Sequence, residues 1–142
     1  MPQLASLVDG EPDLVANLAN LAAALRQGIA AATWVGFYRS RGAELVLGPF
    51  QGKVACVRIA IGRGVCGTAA AERRTVIVPD VGAFPGHIAC DPASRSEIVV
   101  PVVRGGELVG VIDVDSDQLA AFDEVDAAAL AEVARLAASL EW

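Results

Sequence analysis

Lysine is almost missing from this chain, with Lys53 alone, and histidine is equally scarce, with His87 alone. Aromatic residues make up only 5%. Acidic residues outnumber basic ones, 17 to 11, for a formal net charge of -6. A chain with that balance repels phosphate backbones, which argues against a nucleic-acid partner. Long apolar runs are absent too. The densest spans six residues, 98–103, and contains Pro101, far short of the roughly 20 that a membrane span needs. No membrane association is therefore expected. The opening Met1-Pro2-Gln3-Leu4 lacks a basic stretch followed by an apolar one. No signal peptide is expected, and the expected compartment is the cytoplasm. Cysteine is limited to Cys56, Cys66 and Cys90. An odd number in a reducing compartment argues against a structural disulfide framework.

What is present is ample apolar material: 54% of 142 residues. That suits one domain spanning 1–142, able to bury a core without staples, with residues 1–10 as a flexible lead. In residues 11–30, Leu14, Leu18, Leu21, Leu25 and Ile29 recur at helical spacing, with Pro12 suited to a first turn. Residues 33–39 alternate, with Trp34, Gly36 and Tyr38 on one side and Val35 and Phe37 on the other, which predicts a strand. Arg41-Gly42 is the turn to a returning strand, 44–50, and residues 54–61 read as a third strand. A short helix over 68–73 and a strand over 75–78 follow. Residues 82–95 lack periodicity and read as a long, packed functional loop. Strands 98–104 and 107–115 meet at Gly105-Gly106, a strong hairpin signal. A last helical stripe runs through Phe122, Val125, Ala129, Val133, Leu136 and Leu140, with Asp123 as N-cap. The order suits an α+β fold: a central antiparallel sheet with the N- and C-terminal helices on one face and the pocket on the other.

Three readings of the cysteines stand side by side. They suit buried small side chains, since free cysteine is often buried. With His87 they suit a Cys3His zinc set, although spacings of ten and twenty-four residues lack the short pair usual at zinc. They also suit redox chemistry, with one thiolate attacking and another resolving. Gly62-Arg-Gly-Val-Cys-Gly67 spells G-x-G-x-x-G. The helix after it is too short for a parallel crossover, so it reads as a tight turn rather than a dinucleotide site. A helix N-terminus near Cys66 would favour its thiolate. On the last strand, Val109, Val111, Asp113 and Asp115 share one face, and the hairpin brings Glu97 beside the two acids. Clustered acids raise at least one pKa and equip a general acid, whereas a solvated strand end would carry them at no cost.

Seven segments taken together carry a resemblance. They are Thr33-Trp-Val-Gly-Phe-Tyr38, Leu47-Gly-Pro-Phe-Gln-Gly-Lys53, Ala55-Cys-Val-Arg58, Gly62-Arg-Gly-Val-Cys-Gly-Thr68, Gly86-His-Ile-Ala-Cys-Asp91, Ser96-Glu-Ile-Val99 and Val111-Ile-Asp-Val-Asp-Ser116. In this order and spacing the chain resembles the GAF-domain free methionine-(R)-sulfoxide reductases from about residue 11 to 140. The resemblance implies a GAF fold and reduction of free L-methionine-(R)-S-oxide through a cysteine sulfenic acid and an intramolecular disulfide. It implies Cys90 as nucleophile, Cys56 as the resolving cysteine and Cys66 as a third thiol used when thioredoxin recycles the enzyme. Glu97, Asp113 and Asp115 match the carboxylates around the substrate, and Trp34 and Tyr38 the aromatic wall. Read alone, Trp34 and Tyr38 serve equally well as core residues. His87 is read as ordering the loop, not as a ligand or base. No cofactor and no metal are implied. Homodimerisation through the terminal helices is a family expectation, though the leucine stripe would serve an internal core equally well.

Overall fold

The computed structural model describes residues 1–87 and 91–142. In chain order the elements are α1 (Pro2–Val8), α2 (Leu14–Gly28), β1 (Trp34–Arg41), β2 (Glu44–Gln51), β3 (Arg58–Ala60), α3 (Gly64–Glu72), β4 (Val76–Val78), a 3-10 turn (Val81–Ala83), β5 (Ser96–Arg104), β6 (Glu107–Ser116) and α4 (Glu124–Ala138). The six strands form one sheet in the order β3-β2-β1-β6-β5-β4. Every neighbouring pair is antiparallel.

Helix α2 starts where Asp13 accepts the Ala16 amide at 2.9 Å. It buries Leu18, Leu21 and Leu25 against Val35 and Phe37 of β1 in the larger apolar cluster. Each fully buried leucine is worth about 1.5–3 kcal/mol. Helix α4 starts in a capping box in which Asp123 accepts from the Val125 and Asp126 amides and Asp126 accepts from the Asp123 amide. It lays Leu130, Val133 and Ala137 on the same cluster, which also holds Ile98, Val100, Val102, Ile112 and Val114 of the central strands. Both long helices thus cover one face, as the sequence pattern predicts. Helix α3 covers part of the other face, where Val65, Cys66, Ala69 and Ala70 meet Tyr38, Val99 and Val111. The result is an α+β fold with a helix pair on one side and a cavity on the other.

The structure corrects several expectations. Residues 1–10 are not an irregular lead. Pro2–Val8 is helical, because Leu4 and Val8, one helical turn apart, reach the main core. The stripe drawn for α4 holds at Phe122, Val133 and Leu140 but fails at Ala129 and at Val125, which is 76% exposed, and Ala127, Leu130, Ala134 and Ala137 complete the buried face. The alternation assigned to β6 fails at Val109, which packs with the helical face rather than with Val111. A bulge causes this: Val102 pairs with Gly110 but Val103 pairs with Leu108, so one residue is unpaired and the pleat changes phase. The third strand shrinks from 54–61 to Arg58–Ala60, and α3 starts at Gly64, earlier than residue 68.

Candidate functional site

The shortened third strand sets up the site. Residues 53–56 leave the ladder, and side chains of β1 hold the backbone at Lys53 and Cys56 instead. The Trp34 indole N–H donates to the Lys53 carbonyl at 3.0 Å, and the Tyr38 hydroxyl donates to the Cys56 carbonyl at 2.9 Å. The indole stacks on Phe50 at 5.3 Å and lies 6.2 Å from the Tyr38 ring. Gly36 and Gly52 make room for it. A Cβ at Gly52 would come within 2.5 Å of Trp34 Cδ1, and one at Gly36 would run into the far edge of the indole. Trp34 and Tyr38 are therefore core residues and cavity wall together.

Next to this wall stand the acids. Across β1, Asp115 faces Trp34 and Asp113 faces Gly36. Across β5, Asp115 faces Glu97 and Asp113 faces Val99. Glu97 and Asp113 are buried, each 6% exposed, which excludes a solvated strand end. The ion pairs among the described residues are Arg58–Glu44, Arg74–Glu72 and Arg135–Glu132, none of which touches these acids. Desolvation holds all three carboxyls above the usual range. Mutual repulsion adds to this at Glu97 and Asp115. Cys66 Sγ lies 3.9 Å from Glu97 Oε1. Here a sequence expectation reverses. The α3 N-terminus does not make Cys66 a thiolate, because burial and then Asp113, Glu97 and Asp115 push its pKa well above the ordinary thiol value.

The cavity is lined by Trp34, Tyr38, Cys66, Glu97, Asp113 and Asp115, all six of which the sequence singled out. Cys56 follows Ala55 of the cavity wall and packs, half-buried, against the same apolar cluster. Cys90 lies outside the described residues. With the geometry in place, comparison with known proteins is informative. The profile described as "GAF domain" matches residues 10–140.

The chain belongs to the GAF domain family.

It is 50% identical over 121 residues to a protein of Escherichia coli named free methionine-R-sulfoxide reductase, covering 85% of this chain and 73% of that one. A solved structure of free methionine-R-sulfoxide reductase from Neisseria meningitidis, in complex with its substrate, superposes with a TM-score of 0.93 at 54% identity, covering 96% of this chain and 83% of that one. A putative GAF sensor protein from Burkholderia vietnamiensis superposes with a TM-score of 0.95 at 55% identity, covering 99% of this chain and 90% of the other.

This GAF cavity has further walls that the sequence did not disclose: Val54, Ile59, Arg63, Val65, His87, Asp91 and Ser94. The signal for Arg63 was at hand in the glycine-flanked turn. Gly62 and Gly64 adopt φ values of 97° and 65°, and a Cβ at Gly67 would come within 2.6 Å of the Ala60 carbonyl oxygen. The glycines let backbone meet backbone, as expected of a tight turn, and so set Arg63 at the cavity. His87 also lines the cavity. Burial lowers its pKa while Asp113 opposes the shift. Helix α3 begins without a side-chain cap, and Gly64, Val65 and Cys66 of its first turn border the cavity. Uncapped first-turn amides favour a negative group. The GAF cavity therefore combines a cation-seeking floor, an anion-tolerant rim and an aromatic wall. No helix of the described residues is long and apolar enough to cross a membrane.

Proposed function

We propose that this GAF protein is an oxidoreductase that reduces free L-methionine-(R)-S-oxide to L-methionine. One observation carries the reading: three desolvated carboxyl groups, without an ion-pair partner among the described residues, floor an aromatic-walled cavity. A free amino acid brings an ammonium for the acids and a carboxylate for the start of α3 or Arg63, and a peptide-linked methionine lacks both charges. The names of the relatives from Escherichia coli and Neisseria meningitidis support the same substrate.

In this reading one protonated carboxyl of Glu97, Asp113 or Asp115 donates to the sulfoxide oxygen, making the sulfur electrophilic. The Cys90 thiolate attacks that sulfur. The hydroxyl then moves from the substrate sulfur to the Cys90 sulfur, the S–S bond just formed breaks with its electron pair going to the substrate sulfur, methionine leaves, and Cys90 remains as a sulfenic acid. The Cys56 thiol then condenses with it, forming an S–S bond and releasing water. The dithiol of thioredoxin reduces that disulfide, with Cys66 as a relay. Trp34 holds the S-methyl group and selects the R epimer by shape. Tyr38 anchors the segment that carries Cys56. This chemistry belongs in the cytoplasm, where thioredoxin is kept reduced, and the terminal helices offer a face for a homodimer.

The test couples the protein to thioredoxin, thioredoxin reductase and NADPH. NADPH consumption with the R epimer and none with the S epimer is expected. Cys90→Ser abolishes even a single turnover. Cys56→Ser retains one turnover and accumulates the sulfenic acid, seen by intact mass. Full-rate cycling of Cys56→Ser would move the resolving role elsewhere. Equal activity on a methionine-sulfoxide peptide would sink the argument from charge. The name of the Burkholderia vietnamiensis relative favours a second reading, a ligand or redox sensor. No turnover, together with a ligand-induced rise in melting temperature, would select it.

A further inference from the structure

The floor of the cavity holds a donor set that amino-acid binding does not exhaust. Cys66 Sγ, a Glu97 carboxylate oxygen and an Asp113 carboxylate oxygen lie within 4.8 Å of one another, on three buried side chains. Tetrahedral zinc, with Zn–S of about 2.3 Å and Zn–O of about 2.0 Å, spaces its sulfur and oxygen ligands roughly 3.5 Å apart. The observed 3.9 Å from Cys66 Sγ to Glu97 Oε1 is within a small rotamer adjustment of that spacing. A second, independent observation points to a ligand. Asp113 Oδ1 is buried and accepts no hydrogen bond, on a side chain only 6% exposed that borders the cavity. Buried carboxylate oxygens are normally satisfied, so one left without a partner at the cavity floor marks a place for positive charge.

We propose that Cys66, Glu97 and Asp113 bind a divalent cation of the zinc class, with its fourth position open to the cavity. The donors select the ion. A thiolate with two carboxylates suits zinc, cobalt(II) or cadmium, whereas magnesium and calcium take oxygen donors alone. Binding replaces the S–H bond of Cys66 with a metal–sulfur bond and releases the proton to solvent. Because the cation occupies Glu97 and Asp113, it excludes an ammonium group from the same carboxylates. On the reductase reading zinc is therefore an inhibitor competitive with the amino acid. The site itself rests on the three donors and holds without that reading.

Cobalt(II) serves as the probe, added to the full chain carrying Cys56→Ser and Cys90→Ser so that Cys66 is the sole thiol. A near-ultraviolet sulfur-to-cobalt charge-transfer band with intense visible tetrahedral bands is expected, with proton release and displacement by zinc but not by magnesium. Adding Cys66→Ala removes the charge-transfer band. Adding Asp113→Asn weakens binding by at least the 10- to 100-fold that loss of an outer-shell partner costs at a metal site. This variant keeps the shape of the side chain and relieves a buried charge, so a melting curve at or above that of its parent separates lost binding from lost folding. No charge-transfer band at saturating cobalt, a band that survives Cys66→Ala, or displacement by magnesium would each overturn the proposal, whatever the sulfoxide assay shows.

Discussion

The two faces of the sheet are built from the same strands and obey opposite rules. Toward α2 and α4, the buried positions of β1, β5 and β6 are apolar except at the strand ends Ser96 and Ser116: Val35, Phe37, Ile98, Val100, Val102, Ile112 and Val114. Toward the cavity, the apolar run of Tyr38, Val99 and Val111 gives way to Glu97, Asp113 and Asp115. The first face gains free energy from removing apolar surface from water. The second gives up stability by holding acids where water cannot solvate them. Because side chains alternate along a strand, one residue separates the two regimes: Ile112 and Val114 flank Asp113. The fold can carry an electrostatically unfavourable site because the opposite face supplies the stability.

That contrast can be broken from either side, and the largest effect is on the helical face. Phe37→Ala removes the largest fully buried side chain there. It should cost about 3–5 kcal/mol in chemical denaturation. A loss below 1 kcal/mol would mean that the face is not the main store of stability. On the cavity face the sign reverses. Asp113→Asn should raise unfolding free energy by about 1 kcal/mol at neutral pH and lower substrate affinity by tenfold or more.

The pH dependence sharpens the same point. Glu97, Asp113 and Asp115 titrate above their ordinary values in the folded state. The folded protein therefore holds these protons more tightly than the unfolded chain does. Their contribution to stability is fully present below the unfolded pKa values near 4 and is lost as pH rises through the folded ones. Denaturation midpoints followed upward from pH 4 should fall, with a shallower slope in Asp113→Asn. An equal slope would show that these acids are solvated. The smallest effect belongs to a residue facing neither side. Val125 is 76% exposed, so Val125→Ala should stay within about 0.5 kcal/mol of the parent.

Much of this architecture was legible from local pattern. The leucines of α2 fall where their spacing puts them. The hairpins turn at Arg41-Gly42 and Gly105-Gly106, where Gly42, Gly105 and Gly106 adopt φ values of 62°, 57° and 81° that side chains disfavour. The division of β1 into a Trp34/Tyr38 side and a Val35/Phe37 side also survives intact. The misreadings have a common cause. The exposure of Val125, the shift at Val109 and the departure of residues 53–56 from the ladder each depend on a distant partner. These partners are the sheet under α4, the register of β5 and the polar ends of Trp34 and Tyr38.

By itself the sequence determined the periodicities, the turns, the identity of the acids and the family, because each is written in short-range spacing or residue type. Tertiary structure decided the state of Cys66. Its sulfur meets Glu97, 31 positions along the chain, only because α3 folds across β5 and β6. There the loss of water outweighs the helix terminus and keeps the thiol protonated. Solvation is a property of the surroundings on all sides, and no linear pattern records it.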